Sequence, residues 1–128
     1  MTDALADTSV FIARESGRSI RSEAVSQRLA VSYVTVGELR AGVLAAPDVV
    51  TRDRRLDSLM VALALDPIPV DDRVAEAWAR LRLLIAERGL RMQVNDSWIA
   101  ATAMALGVPL VTQDDDHVEV PGLAVIHV

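Results

Sequence analysis

Short β-type runs alternate with longer segments of helical period along this chain, and that alternation restricts the fold more than anything else in its 128 residues. Leu5-Ala6 closes a first strand, and Asp7-Thr8-Ser9 is a helix-opening turn before Val10-Phe11-Ile12. A polar helix is expected over Ser22–Leu29, a second strand at Ala30–Tyr33 and a helix over Thr35–Ala45. Leu56, Leu59, Met60, Leu63 and Ala64 recur at helical spacing within Asp53–Leu65, and Pro67 stops that helix. Ile68-Pro69-Val70 is a short strand placed near an edge by its prolines. Asp71 or Asp72 caps a long helix through Trp78, Leu81 and Ile85 that Gly89 ends. Asn95 caps another, carrying Trp98, Ile99, Thr102, Ala103 and Leu106, which Gly107 closes. Strands at Pro109–Thr112 and Leu123–Val128 finish the pattern. The fold class expected is α/β, one domain over residues 1–128. Its core is a central parallel sheet of about five short strands, flanked by helices on both faces. Ligands of such sheets sit beyond the carboxyl ends of the strands, where strand order reverses.

Aromatic residues make up 3% of a composition that is 52% hydrophobic, so the core must rest on Ala, Val, Leu and Ile. Absence of Cys removes disulfides, thiolate metal sites and cysteine nucleophiles together. All 13 basic residues are Arg, and without Lys neither a P-loop nor a Schiff-base enzyme is available. The first residues, Met1-Thr2-Asp3-Ala4-Leu5, lack the basic region and apolar run of a signal peptide, and no apolar stretch is long enough to span a bilayer. A cytoplasmic protein with no membrane partner is expected. The net charge of −5 runs against the basic surface usual in nucleic-acid binders, though a divalent metal supplies positive charge locally.

Four acids stand out by position. Asp7 follows the first strand, Glu38 sits in the turn after the second, Asp96 opens a helix and Asp114 follows the Pro109–Thr112 strand. A parallel sheet can bring all four to one rim. Converging carboxylates repel unless a proton or cation intervenes, and hard oxygen ligands favour Mg²⁺ or Mn²⁺. Such a centre suits phosphodiester hydrolysis. Simpler roles compete for each acid taken alone. Asp7 can cap a helix, and Asp96 can complement a helix dipole. Glu38 can close a capping box with Thr35, and Asp114–Asp116 can be a solvated turn.

The sequence around the acids carries a resemblance. Asp7-Thr8-Ser9-Val10-Phe11-Ile12 resembles the opening motif of PIN-domain nucleases, and Ser32-Tyr33-Val34-Thr35-Val36-Gly37-Glu38-Leu39 their second. Asn95-Asp96-Ser97-Trp98-Ile99-Ala100-Ala101-Thr102-Ala103 is similar to the third motif, and Leu110-Val111-Thr112-Gln113-Asp114 to the fourth. Within that family the compact length and the third motif look most like VapC-type toxins of toxin–antitoxin modules. The resemblance implies a Mg²⁺- or Mn²⁺-dependent endoribonuclease acting on RNA, a homodimer, neutralised by a cognate VapB-type antitoxin in a hetero-oligomer. It implies that Asp7, Glu38, Asp96 and Asp114 bind metal, with Asp116 sharing or replacing part of the role of Asp114. Thr112, and Thr8 or Ser9, would organise the centre through their hydroxyls. The chain departs from the family where His117 and Gln113 stand: relatives often carry an aromatic residue at the first position and Arg or Asn at the second.

Arg14, Arg18, Arg40 and Arg91 are candidates for meeting RNA phosphates, although a solvated helix surface explains each as well. His117 is expected to be an exposed turn residue, and Trp78 and Trp98 to pack in a core or an interface. Two other functions are weighed. A phosphoryl-accepting Asp7 is disfavoured, because Lys is absent and Ser9 stands where a second Asp is required. A catalytically inactive PIN fold that binds RNA or a protein keeps the architecture, but all four acids are present.

Overall fold

The computed structural model describes residues 3–21, 28–115, 117 and 119–128. Four parallel strands form the sheet: β1 (Ala4–Ala6), β2 (Leu29–Ala30), β3 (Leu110–Thr112) and β4 (Val125–His127). Their order is β2-β1-β3-β4, with Ala4 opposite Leu29, Leu5 opposite Leu110 and Val111 opposite Ile126. The chain leaves β1 to one side for β2 and returns on the other side for β3. Strand order therefore reverses between β1 and β3, and a crevice opens beyond their carboxyl ends.

Five helices cover this sheet: α1 (Thr8–Glu15), α2 (Tyr33–Leu44), α3 (Val49–Leu63), α4 (Asp72–Glu87) and α5 (Val94–Leu106). Side chains alternate across a strand, so neighbouring residues enter different cores. Leu5 packs with Leu81, Ile85, Ile99 and Leu110 beneath α4 and α5. Ala6 packs with Phe11, Val36, Leu39 and Leu59 beneath α1, α2 and α3. Among the described residues no helix is long and apolar enough to cross a membrane.

Several boundaries differ from expectation, each for a local reason. The fifth strand shrinks to one parallel bridge between Ser32 and Ile68, because Pro69 cannot donate to a continued ladder. Ser32 caps α2 by accepting from the Val34 amide at 3.0 Å, so the second strand ends early and Thr35 is inside the helix rather than at its cap. Asp48 starts α3 five residues before Asp53, accepting from the Thr51 amide at 2.7 Å. Asp71, not Asp72, caps α4. Asn95 is not a cap: α5 begins at Val94 after Gln93, which makes no capping bond through its side chain. Gly107 closes α5 at φ 68°, a left-handed conformation that costs glycine least. The polar helix expected over Ser22–Leu29 lies outside the described residues at 22–27, and Leu29 belongs to β2.

Candidate active site

The crevice between β1 and β3 is organised around Asp7. The last rung of the sheet is its amide donating to the Val111 carbonyl at 2.8 Å, and its carboxylate then caps α1. Oδ2 accepts from the Ser9 hydroxyl at 2.7 Å, the Thr112 hydroxyl at 3.0 Å and the Ser9 amide at 3.4 Å. Each hydroxyl has one proton, and both are spent on Asp7. They are oriented by accepting from behind: the Gln113 amide donates to Ser9 Oγ and the Asp114 amide to Thr112 Oγ1, both at 3.0 Å. Backbone, hydroxyl and carboxylate thus form two directional chains, in which each link polarises the next. None of the bonds among the described residues reaches Oδ1.

Glu38 is fixed by a similar relay from α2 and α1. It is one helical turn beyond Thr35 on the same face of α2, not in a turn after a strand. Thr8 Oγ1 lies 2.7 Å from Glu38 Oε1 and 2.8 Å from Thr35 Oγ1. A carboxylate cannot donate, so Thr8 donates to Glu38 and the buried Thr35 donates to Thr8. Asn95 Nδ2 reaches the other oxygen of Glu38 at 3.4 Å.

Asp96 enters from the first turn of α5, half-buried. Burial pushes its carboxyl above the ordinary value, and the negative charge of Asp7 adds to the rise. His117 opposes the shift, while Glu38 and Asp114 reinforce it. The four acids from four segments therefore act within one local field. Asp114 is exposed at the rim, and Asp116 lies outside the described residues. Among the described residues no three Asp, Glu or His side chains are already gathered tightly enough to grip one ion.

Two features differ from the expectation. Thr35 and Asn95, expected at helix caps, both support Glu38. His117, expected on an exposed turn, is half-buried with its Nε2 away from solvent and close enough to influence Asp96. The i, i+3 spacing of Thr35 and Glu38 was the available signal for the first. Nothing local betrayed the second. Trp78 and Trp98 stack on each other at 4.3 Å between ring centres, half-buried between α4 and α5. Trp78 also donates to the Ser97 hydroxyl at 2.9 Å, next to Asp96. Arg14, Arg18, Arg40 and Arg91 are all exposed. Gln113 bonds through its side chain to the carbonyls of Ser19 and Val128.

A carboxylate-lined crevice at the switch point of a short parallel sheet is the arrangement of a PIN domain, and the PIN-domain family model matches residues 4–123. The chain belongs to the PIN-domain family. It is 46% identical to Ribonuclease VapC5 of Mycobacterium tuberculosis over 95% of its own length and 90% of that protein. It is 45% identical to Ribonuclease VapC4 of the same organism over 96% of its length and 95% of that protein. The crystal structure of VapBC-5, a member of the VapBC family of toxin–antitoxin systems from M. tuberculosis, contains a chain that superposes with a TM-score of 0.90 and 40% identity, each chain covered completely.

Proposed function

We propose that this protein is the toxin of a type II toxin–antitoxin module, a metal-dependent endoribonuclease that hydrolyses RNA phosphodiester bonds. The observation that carries the reading is that Asp7, Glu38 and Asp114 all bear on Asp96 at one crevice, in a chain nearly half identical to two ribonucleases. The donor set fits a hard divalent cation such as Mg²⁺ or Mn²⁺. It is all carboxylate, Asp7 keeps one oxygen outside its hydrogen-bond chains, and the like charges that raise Asp96 are relieved by positive charge. Asp7, Glu38, Asp96 and Asp114 would hold the ion, with Asp116, two positions further along the sequence, a further candidate acid. A bound divalent ion supplies charge for the scissile phosphate and lowers the pKa of water so that it can act as nucleophile. Ser9 and Thr112 orient Asp7, and Thr8 and Thr35 orient Glu38.

The partner in this reading is a VapB-type antitoxin, supported by the likeness to the VapBC-5 toxin–antitoxin structure; the toxin would also pair with a second copy of itself within that hetero-oligomer. Support for a partner is also physical. Leu44 at the end of α2 is 88% exposed, it shares a surface groove with Leu56, and Val49, Val50 and Met60 on α3 are exposed as well. The module works in the cytoplasm, where its substrate is.

Purified protein incubated with cellular RNA and Mn²⁺ should cut it, EDTA should stop the reaction, and Asp7→Ala and Asp96→Ala should each abolish it. Cleavage indifferent to EDTA and to both substitutions would overturn the reading. So would RNA binding in metal-free buffer with no cleavage on adding Mn²⁺, the behaviour of an inactive binding module.

A further inference from the structure

A cavity of about 340 Å³ opens beside the acid cluster, sharing Thr8 and Glu38 with it. Its walls include the apolar side chains of Ile12 and Leu39 and two charges of opposite sign, Glu15 and Arg55. Neither charge is loose. Buried Ser58 donates to Glu15 Oε1 at 2.9 Å, and Arg55 Nη1 donates to the Gly42 carbonyl at 2.7 Å, closing the end of α2. Yet among the described residues no ion pair joins the two. Each keeps spare capacity: on Glu15 the whole of Oε2 and a second lone pair of Oε1, and on Arg55 the Nε and Nη2 donors.

Opposite charges, each tethered and held apart across a small cavity, suit a flat ligand that offers donors along one edge and acceptors along another. The volume is near the lower end for ligand cavities, about 300–1,000 Å³, and is ample for one unstacked base. Guanine alone of the RNA bases presents two adjacent donors, N1–H and N2–H, to a carboxylate, together with O6 and N7 as paired acceptors for a guanidinium. We propose that this cavity is a guanine-selective subsite for an unstacked nucleotide next to the scissile phosphodiester. Glu15 accepts from N1–H and N2–H, Arg55 donates to O6 and N7, and Ile12 and Leu39 face the ring. The inference rests on the ribonuclease reading and deepens it, because Glu38 borders both the cavity and the cutting centre. Recognition of splayed single-stranded bases is also how proteins usually read RNA sequence.

Two measurements test it. In the first, kcat/KM is compared for short RNA substrates in which the guanosine flanking the cut is replaced by inosine (no N2 amino group), 7-deazaguanosine (no N7) or adenosine. Adenosine should cost roughly 5- to 150-fold, and each of the other two a smaller part of that loss. Glu15→Gln should erase the preference for guanosine over inosine, and Arg55→Lys the preference for guanosine over 7-deazaguanosine. In the second, guanosine 5′-monophosphate is titrated with Mg²⁺ into methyl-labelled protein, and the Ile12 and Leu39 methyl signals should shift more than with adenosine 5′-monophosphate. Equal kcat/KM for all four bases, or methyl signals that respond alike to both nucleotides, would overturn the proposal. So would Glu15→Gln and Arg55→Lys variants that keep full base discrimination but are neutralised less tightly by the antitoxin, which would give the cavity to the partner. If no RNA is cut under any metal, the ribonuclease reading fails, while the methyl titration still decides the cavity.

Discussion

Replacing Thr112 by Val removes one hydroxyl from the centre of the crevice and leaves a side chain of the same shape. Thr112 is fully buried, donates to Asp7 Oδ2 at 3.0 Å and accepts from the Asp114 amide at 3.0 Å. The lost bond is to a charged group, worth about 1.5–3 kcal/mol. Asp114 is exposed, so water takes over its amide cheaply, and the added methyl returns about 0.8 kcal/mol. The net expected loss is about 1.5 kcal/mol. With an unfolding entropy of about 2.1 cal/mol/K per residue, that lowers the Tm of this chain by about 6 °C. Thermal unfolding of wild type, Thr112→Val and Thr112→Ser checks it, and Ser should recover most of the loss because it restores the hydroxyl. A double-mutant cycle with Asp7→Ala is sharper. Without the carboxylate the hydroxyl has no charge to serve, so Thr112→Val should then cost much less, giving a coupling of roughly 1 kcal/mol or more. Additive effects would refute the idea that Thr112 acts through Asp7.

Two carboxyl groups should move stability in opposite directions with pH. Asp96 is raised above 3.8 by burial and by the charge of Asp7, so the folded metal-free protein holds a proton there that the unfolded chain has released, and stability falls as pH rises through that window. Asp96→Asn should therefore raise the Tm of metal-free protein at pH 7, with the advantage vanishing below 3.8. Asp48 is lowered from 3.8 by the bonds it accepts from Thr51, so its capping contribution is present above that value and is lost as pH falls through the lower folded pKa. The Tm deficit of Asp48→Ala should close accordingly in acid. Trp78→Phe keeps the stack on Trp98 but removes the donor to Ser97, and urea unfolding should show a loss of about 1 kcal/mol.

Much of this architecture is legible in residue order. Helical period, Pro67, Gly107 and the strand runs place every described helix and the parallel sheet, because these signals are local. What escapes is set by competition between neighbours. Ser32 caps α2 before Thr35 can, and Asp48 caps α3 before Asp53, so both helices begin early. The acids and the hydroxyls of Thr8, Ser9 and Thr112 could be chosen by motif, but which acid each hydroxyl serves, and the support of Glu38 by Thr35 and Asn95, could not. The relay from Thr35 through Thr8 to Glu38 joins residues up to 30 positions apart, and Ser9 meets Thr112 across 103. Such contacts exist only once β1 and β3 lie side by side. Burial of His117 has the same origin, since a turn is exposed or covered by what folds over it.

The central claim is that carboxylates from four segments form one cation-holding centre, and calorimetric titration with Mn²⁺ tests it most directly. Wild-type protein should bind Mn²⁺ at neutral pH, and Asp7→Asn and Asp96→Asn should each weaken that binding by roughly tenfold or more while the protein stays folded. Equal Mn²⁺ affinity in the wild type and both variants would contradict the account.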